Sequence, residues 1–307
     1  MTTVQSSSRL LTRRRGGGRP VRRGSTGLMF VMPAVLLVVL LFVVPTVMTA
    51  WMSLHDWPLI GTQHFVGLDN YDRIVHDPGF WRALRFTSFY TLVVTLVLFV
   101  VGFALASLVR HQRRGVGIFR TIFVMPVVLG FATASYLTLW LLDTRIGIVD
   151  KVLTDSNLVS APIEWLGGRG LALTAVVVMV VWKTVGLTML LLMGGMQAIS
   201  NDYYEAASLD GASAWRQFRS ITVPLLRPTI ALVLILTVIG SYLAFDQFFI
   251  LTQGGPDSST VTLVYLIYRS AFIDFNLGYS SALSVVLMVV LLLLTVAQFR
   301  ILRQEDL

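Results

Sequence analysis

The sequence predicts an all-α membrane protein with six transmembrane helices and both termini in the cytoplasm. Three observations carry this: a shortage of charge, six apolar runs long enough to cross a bilayer, and basic residues concentrated on alternate loops. Charged residues form 13% of the 307-residue chain, about half the roughly 25% of soluble domains. So little charge cannot cover a water-facing surface, and lipid is the solvent that suits this composition.

The chain has no cysteine, which excludes disulfide scaffolds, thiol catalysis, iron–sulfur clusters and cysteine-ligated zinc. His55, His64, His76 and His111 all fall outside the apolar runs, so an intramembrane haem or histidine-metal centre has no ligands. Neither a catalytic residue nor a metal site is expected.

Residues 1–27 are rich in Ser, Gly and Arg, with clusters at Arg13-Arg14-Arg15 and Arg22-Arg23. They read as a disordered basic cytoplasmic tail, compatible with anionic headgroups. No nucleic-acid module accompanies the clusters, and no nucleic-acid partner is expected. The membrane domain follows over 28–303. Its runs are Leu28–Trp51, Phe86–Val109, Thr121–Leu142, Leu171–Gly194, Thr229–Leu251 and Ser280–Phe299. At 1.5 Å per residue each covers a hydrocarbon core of roughly 30 Å, and lipid leaves the backbone no partner but its own helix. The first run is too long for a signal-peptide core, and Met48-Thr49-Ala50 is a poor cleavage site, so it reads as an uncleaved helix.

Charge orients the spans. Segments 1–27, 110–120, 195–228 and 300–307 together hold 16 Lys and Arg, against 7 in 52–85, 143–170 and 252–279. The first group is placed in the cytoplasm. Trp51, Trp57, Trp81, Trp140 and Trp165 then gather at the outer ends as interface anchors. Asp77-Pro78 is a cap and first turn leading into the second span, and Gly254-Gly255-Pro256-Asp257 is a turn. Pro33, Pro45 and Pro126 lie inside spans as tolerated kinks.

The cytoplasmic segment 195–228 is too long for a plain connection. Ser200, Asn201 and Asp202 can cap a helix through Leu209, and Gly211 supplies the freedom that ends it. Ser213 caps a second run, expected to stop near Val223 because Pro224 follows. Ala206 and Ala207 permit close approach to another surface, and Glu205 is placed to pair with a basic partner. The same pattern fits an amphipathic hairpin resting on headgroups, and residue chemistry alone leaves both readings open.

Glu205-Ala206-Ala207 followed by Asp210-Gly211-Ala212, with Ile221 and Leu225 around Pro224, resembles the EAA loop of permease subunits in binding-protein-dependent ABC importers. Phe65-Val66-Gly67-Leu68-Asp69-Asn70-Tyr71, Leu251-Thr252-Gln253-Gly254-Gly255-Pro256, Tyr268, Ala271-Phe272 and Gly278-Tyr279 are similar to signatures of the carbohydrate branch, the maltose, multiple-sugar and glycerol-phosphate type. The resemblance covers about 28–303. It implies a bacterial inner-membrane importer with a second homologous permease, two ATPase subunits and an extracytoplasmic solute-binding protein. It also implies that Glu205, Ala206, Ala207, Asp210, Gly211, Ala212 and Pro224 form the coupling segment. ATP and Mg would be bound by the partner ATPase, since Lys151 and Lys183, the only lysines, lie in no Gly-rich phosphate loop.

Lys183 lies 12 residues from Leu171, about 18 Å into a straight helix, where an unpaired ammonium is costly. It either faces the solute pathway or holds the bundle together. By resemblance, Trp182, Lys183, Thr184 and Leu187 in the fourth span and Gly240, Ala244, Phe245, Asp246 and Gln247 in the fifth line that pathway. Asp246, about 8 Å from the outer end, is either simply hydrated or part of an upper gate within reach of Lys183. A sugar or oligosaccharide is the expected solute, with glycerol phosphate or an acidic sugar as the alternative. An ion-coupled secondary transporter is the remaining rival, and it needs no structured cytoplasmic hairpin.

Overall fold

The computed structural model describes residues 23–110 and 115–302, with side chains over 30–110 and 115–301. The basic tail expected over 1–27 therefore lies, up to residue 22, outside the described residues. The chain divides into two units, Met1–Met48 and Thr49–Leu307. In the first, α1 (Arg23–Val38) runs through a π turn (Val39–Val43) into α2 (Val44–Met52), whose last residues enter the second unit. Pro45 has no N–H for the carbonyl one turn back, and the wider turn just before it accommodates the missing bond.

In the second unit a two-stranded antiparallel ribbon, β1 (His55–Asp56) and β2 (His64–Phe65), precedes α3 (Asp69–His76). Buried Asn70 ties this region by donating to the carbonyls of Ser53 and His55, both at 2.9 Å. α4 (Pro78–Val109) is one continuous helix of 32 residues. Asp77 caps it, accepting from the Gly79 N–H at 2.7 Å and, through its other oxygen, from the Tyr279 hydroxyl at 2.7 Å.

The third apolar run, expected as one kinked span over 121–142, is broken instead. α5 (Val116–Val124) passes into a 3₁₀ turn (Met125–Val128), and α6 (Phe131–Leu141) departs at 100°. Pro126 removes a helical N–H, and Leu129 and Gly130 are both extended, so the chain turns rather than bends. α7 (Ile148–Asp155) leads to α8 (Arg169–Gln197), and α9 (Asn201–Leu209) follows.

Two further expectations change. The run after Ser213 does not stop at Val223: α10 (Ala214–Gln217) continues through a π turn (Phe218–Thr222) into α11 (Val223–Tyr242). Pro224 sits in the first turn of α11, where its missing N–H is tolerated. The fifth run is not continuous to Leu251: the helix stops at Tyr242, and α12 (Asp246–Leu251) restarts after Leu243, Ala244 and Phe245. α13 (Leu263–Phe272) and α14 (Leu277–Leu302) complete the chain. Among the described residues, five helical stretches are long and apolar enough to cross a membrane, and a sixth if the bent α5–α6 pair counts as one span.

α8 is the central rod, with α4, α5 and α11 packed around it. α8 is continuous through Gly186. Its role is close approach: a Cβ at Gly186 would overlap the Phe123 carbonyl and press on the Val124 backbone. Gly186→Val is therefore expected to lower stability by about 1–3 kcal/mol, as overpacking does. Thermal unfolding of the detergent-purified protein would read this as a lower midpoint, and an unchanged midpoint would remove the packing role.

Candidate functional site: a chamber between three spans and a hairpin at its foot

The apolar runs hide hydroxyls and amides that converge. A chamber of about 160 Å³ lies between α4, α8 and α11, with Tyr90, Thr184, Thr188, Thr237, Gly240, Ser241 and Gln247 in its wall. Among the described residues, no charged side chain lines it. Gln247, buried on α12, donates to the Tyr90 hydroxyl at 3.2 Å. Tyr90 and Phe86 meet the Phe248 ring edge-on, at 4.9 and 5.3 Å between centroids. The restart of the helix at Asp246 is what turns Gln247 toward the second span.

Of the nine pathway residues expected from sequence, Thr184, Leu187, Gly240 and Gln247 share this chamber. Trp182 lines a separate apolar crevice against Leu137 and Trp165. Lys183 is 6% exposed, and its ammonium lies 4.1 Å from the centroid of the Phe131 ring. A ring face is a partner for a desolvated cation, and Phe131 itself borders the chamber. Lys183 thus stands one ring behind the wall. It forms no ion pair with Asp246, since His76–Asp72 is the one pair within 4.0 Å among the described residues. Ala244 is buried, and its carbonyl accepts from the Thr262 hydroxyl at 2.9 Å. Phe245 stacks on Phe249 at 5.1 Å and abuts Tyr268, facing α13.

Sequence reasoning missed Tyr90, Phe131, Thr188, Thr237 and Ser241. Hydroxyls inside apolar runs were the available signal, but spacing could not say which of them meet across helices.

At the far end of α8 the hairpin begins. Ser200 caps α9 by accepting from the Asp202 N–H, and Gly211 takes φ +74°, a left-handed conformation that any side chain would strain. Ser213 accepts from the Arg216 N–H to start α10. Glu205 is exposed and makes no hydrogen bond or ion pair among the described residues; Leu209 is 90% exposed. The opposite side of α9 is tied inward. The Tyr204 hydroxyl lies 2.9 Å from the Thr222 hydroxyl in the π turn below α11, and the Arg110 guanidinium lies 5.2 Å from the Tyr204 ring. Gln197 donates to the Arg110 carbonyl at 3.0 Å, and Phe218 meets Phe103 of α4 edge-on.

A bundle of broken apolar spans around a chamber whose largely apolar wall carries a few hydroxyls and one amide, with a capped hairpin at one end, is the architecture of a membrane transport subunit. The chain belongs to the family described as binding-protein-dependent transport system inner membrane component, whose profile matches residues 99–304. It is 33% identical over 284 residues to the trehalose/maltose transport system permease protein MalF of Thermococcus litoralis, covering 91% of this chain and 94% of that protein. It is 34% identical over 276 residues to the sn-glycerol-3-phosphate transport system permease protein UgpA of Agrobacterium fabrum, covering 89% and 92%. The fold also matches a crystal structure of a bacterial ABC transporter involved in the import of the acidic polysaccharide alginate, with TM-score 0.81, 19% identity, and 93% and 98% of the two chains covered. The protein is thus a permease subunit of the inner membrane. Membership of a binding-protein-dependent family sets aside the ion-coupled secondary transporter.

Thr184→Val and Gln247→Leu, which remove polar groups from the chamber wall, are expected to raise the KM of uptake. Lys183→Met, behind the wall, should leave KM within about twofold. A larger effect at Lys183 than at Thr184 in proteoliposome uptake would put the ammonium in the pathway.

Proposed function

We propose that this chain is one of two permease subunits that pass a neutral sugar or short oligosaccharide inward, driven by ATP hydrolysis on two separate ATPase subunits and supplied by an extracytoplasmic binding protein. The observation that carries the substrate class is the chamber wall: hydroxyls, one amide and two aromatic rings set among aliphatic side chains, without formal charge. Such a wall matches the hydrogen-bonding and apolar faces of a pyranose. It offers nothing to neutralise a phosphate, because Lys183 is held on Phe131. The name of MalF supports the carbohydrate class, and that of UgpA keeps glycerol phosphate as the alternative. At about 160 Å³ the chamber is also smaller than the roughly 300–1,000 Å³ of sites that enclose small molecules. A second permease completing the other half of the site accounts for the shortfall.

In this reading the chain is a basic tail over 1–27 followed by a permease domain over 28–303, with six spans and both termini cytoplasmic. The bent α5–α6 pair counts as the third span. The hairpin over 195–228 is the coupling segment: Glu205 meets a basic residue of the ATPase, Ala206 and Ala207 let α9 enter its groove, and Gly211 sets the turn toward Asp210, Ala212 and Pro224. Movement of α9 is passed through Tyr204 and Thr222 to the foot of α11, and α11 carries Thr237, Gly240 and Ser241 of the chamber wall. Arg110 and Phe103 pass the same displacement to α4. ATP and Mg stay on the ATPase, and this chain's work is displacement.

Glu205→Lys tests the coupling claim. Reversing an exposed interface charge should lower ATP-dependent uptake by about tenfold or more, while the protein still inserts and its thermal midpoint stays unchanged. Normal uptake by that variant would overturn the assignment of the hairpin.

A further inference from the structure

Two cavities lie side by side at the Arg169 end of α8, away from both the chamber and the hairpin. The first, of about 420 Å³, is an apolar crevice walled by Leu137, Leu141, Val149, Val178 and Trp182. It runs along α8 from Thr174 to Trp182, about 12 Å at 1.5 Å per residue. Leu137, Val178 and Trp182 are exposed, so the crevice opens outward along the flank of the helix. The second, of about 450 Å³, is polar and is lined by Thr144, Arg145, Asp150, Lys151 and Thr154.

α7 separates the two, presenting Val149 to the crevice and Asp150 to the polar cavity. Trp165 also belongs to the dividing wall. Its ring lines the crevice, while its Nε1 donates to Asp150 Oδ1 at 3.0 Å. The Ile163 N–H donates to the same oxygen at 3.3 Å. Asp150 is 3% exposed, and its Oδ2 has no hydrogen-bond partner among the described residues. A buried carboxylate oxygen calls for a cationic donor. Arg145 and Lys151 are exposed, and neither is in an ion pair among the described residues. The backbone at Arg145 is fixed by Asp143, whose Oδ1 accepts from the N–H groups of Arg145 and Ile146 at 2.8 and 3.0 Å. Those two bonds hold the exposed Asp143 carboxyl below the usual carboxylate range, so the turn keeps its charged cap through neutral pH.

The site therefore asks for three things at once: an amine for Asp150, an anion for Arg145 and Lys151, and an alkyl chain for the crevice. We propose that it holds one phospholipid with a primary-amine headgroup. The phosphate lies against Arg145 and Lys151, the ammonium donates to Asp150 Oδ2, and an acyl chain follows α8 past Val178 to Trp182. A purely anionic lipid would bring a second negative charge to Asp150. A basic peptide would meet Arg145 and Lys151, and an apolar protein segment would leave both charges unmatched.

Native mass spectrometry of the complete purified importer, titrated with phosphatidylethanolamine, phosphatidylcholine and phosphatidylglycerol, tests this. Phosphatidylcholine keeps the zwitterion but has no N–H to donate, and phosphatidylglycerol has no amine. Phosphatidylethanolamine should be retained about tenfold better than either, the value of one charge-assisted hydrogen bond. Asp150→Asn keeps an acceptor for Trp165 and Ile163, and should erase that preference without abolishing lipid retention. Lys151→Met, at an exposed position, should weaken phosphatidylethanolamine retention and serves if Asp150→Asn does not assemble. Equal retention of the three lipids by the unmodified complex would overturn the proposal. So would a preference unaffected by either variant, or efficient disulfide capture of Trp182→Cys by a cysteine on the second permease.

Discussion

Wherever an apolar span breaks, backbone groups are freed that lipid cannot satisfy, and the structure follows from how the protein takes them up. The break at Leu243–Phe245 shows this most clearly. The Ala244 carbonyl accepts from the Thr262 hydroxyl, and that oxygen in turn accepts from the Tyr265 N–H, capping α13. One residue on, the Leu263 N–H donates to the Thr87 hydroxyl of α4. Thr87 and Thr262 are fully buried. Through two hydroxyls the break is closed, α13 is anchored, and α11, α12 and α4 are held together. Beyond the break, Gln247 on α12 donates to the Tyr90 hydroxyl of α4.

The same logic applies at the other end of the chamber. α11 grows out of the hairpin through the π turn at Phe218–Thr222, so no flexible loop lies between the proposed coupling segment and the chamber wall. The Tyr204–Thr222 contact crosses that turn, where the helical bonding is already irregular. In the proposed coupling, a displacement of α9 would reach α11 at this irregular turn. Lys183 does not line the chamber; Phe131 gives its ammonium a ring face to rest on inside the bundle.

Much of the architecture is legible in the sequence because it rests on local chemistry. The apolar runs, the Asp77-Pro78 start, the caps at Ser200 and Ser213 and the turn at Gly211 each depend on residues within a few positions. The breaks are not legible in the same way. Pro126 could equally mark a mild kink, and only the extended backbone at Leu129 and Gly130 makes it a 100° turn. Nothing near Ala244 announces a break, because its stabilising partners, Thr262 and Thr87, lie 18 and 157 positions away in sequence. The residues that resemblance assigns to the pathway divide for the same reason: Thr184 and Gly240 reach the chamber from unbroken stretches of helix, whereas the places of Ala244, Phe245 and Lys183 depend on contacts between distant segments.

The central claim is that the chamber between α4, α8 and α11 is the solute path and is moved by the hairpin. The chain has no native cysteine, so single cysteines at Thr184 and Gly240 can report on it directly in an importer whose partners also lack cysteine. The decisive measurement is the rate of labelling of Thr184→Cys and Gly240→Cys by a membrane-impermeant thiol reagent, with and without trapped ATP. Labelling that changes with the nucleotide state, is slowed by solute, and loses its nucleotide dependence when Glu205→Lys is added is the predicted result. Labelling indifferent to nucleotide and solute at both positions would contradict the account.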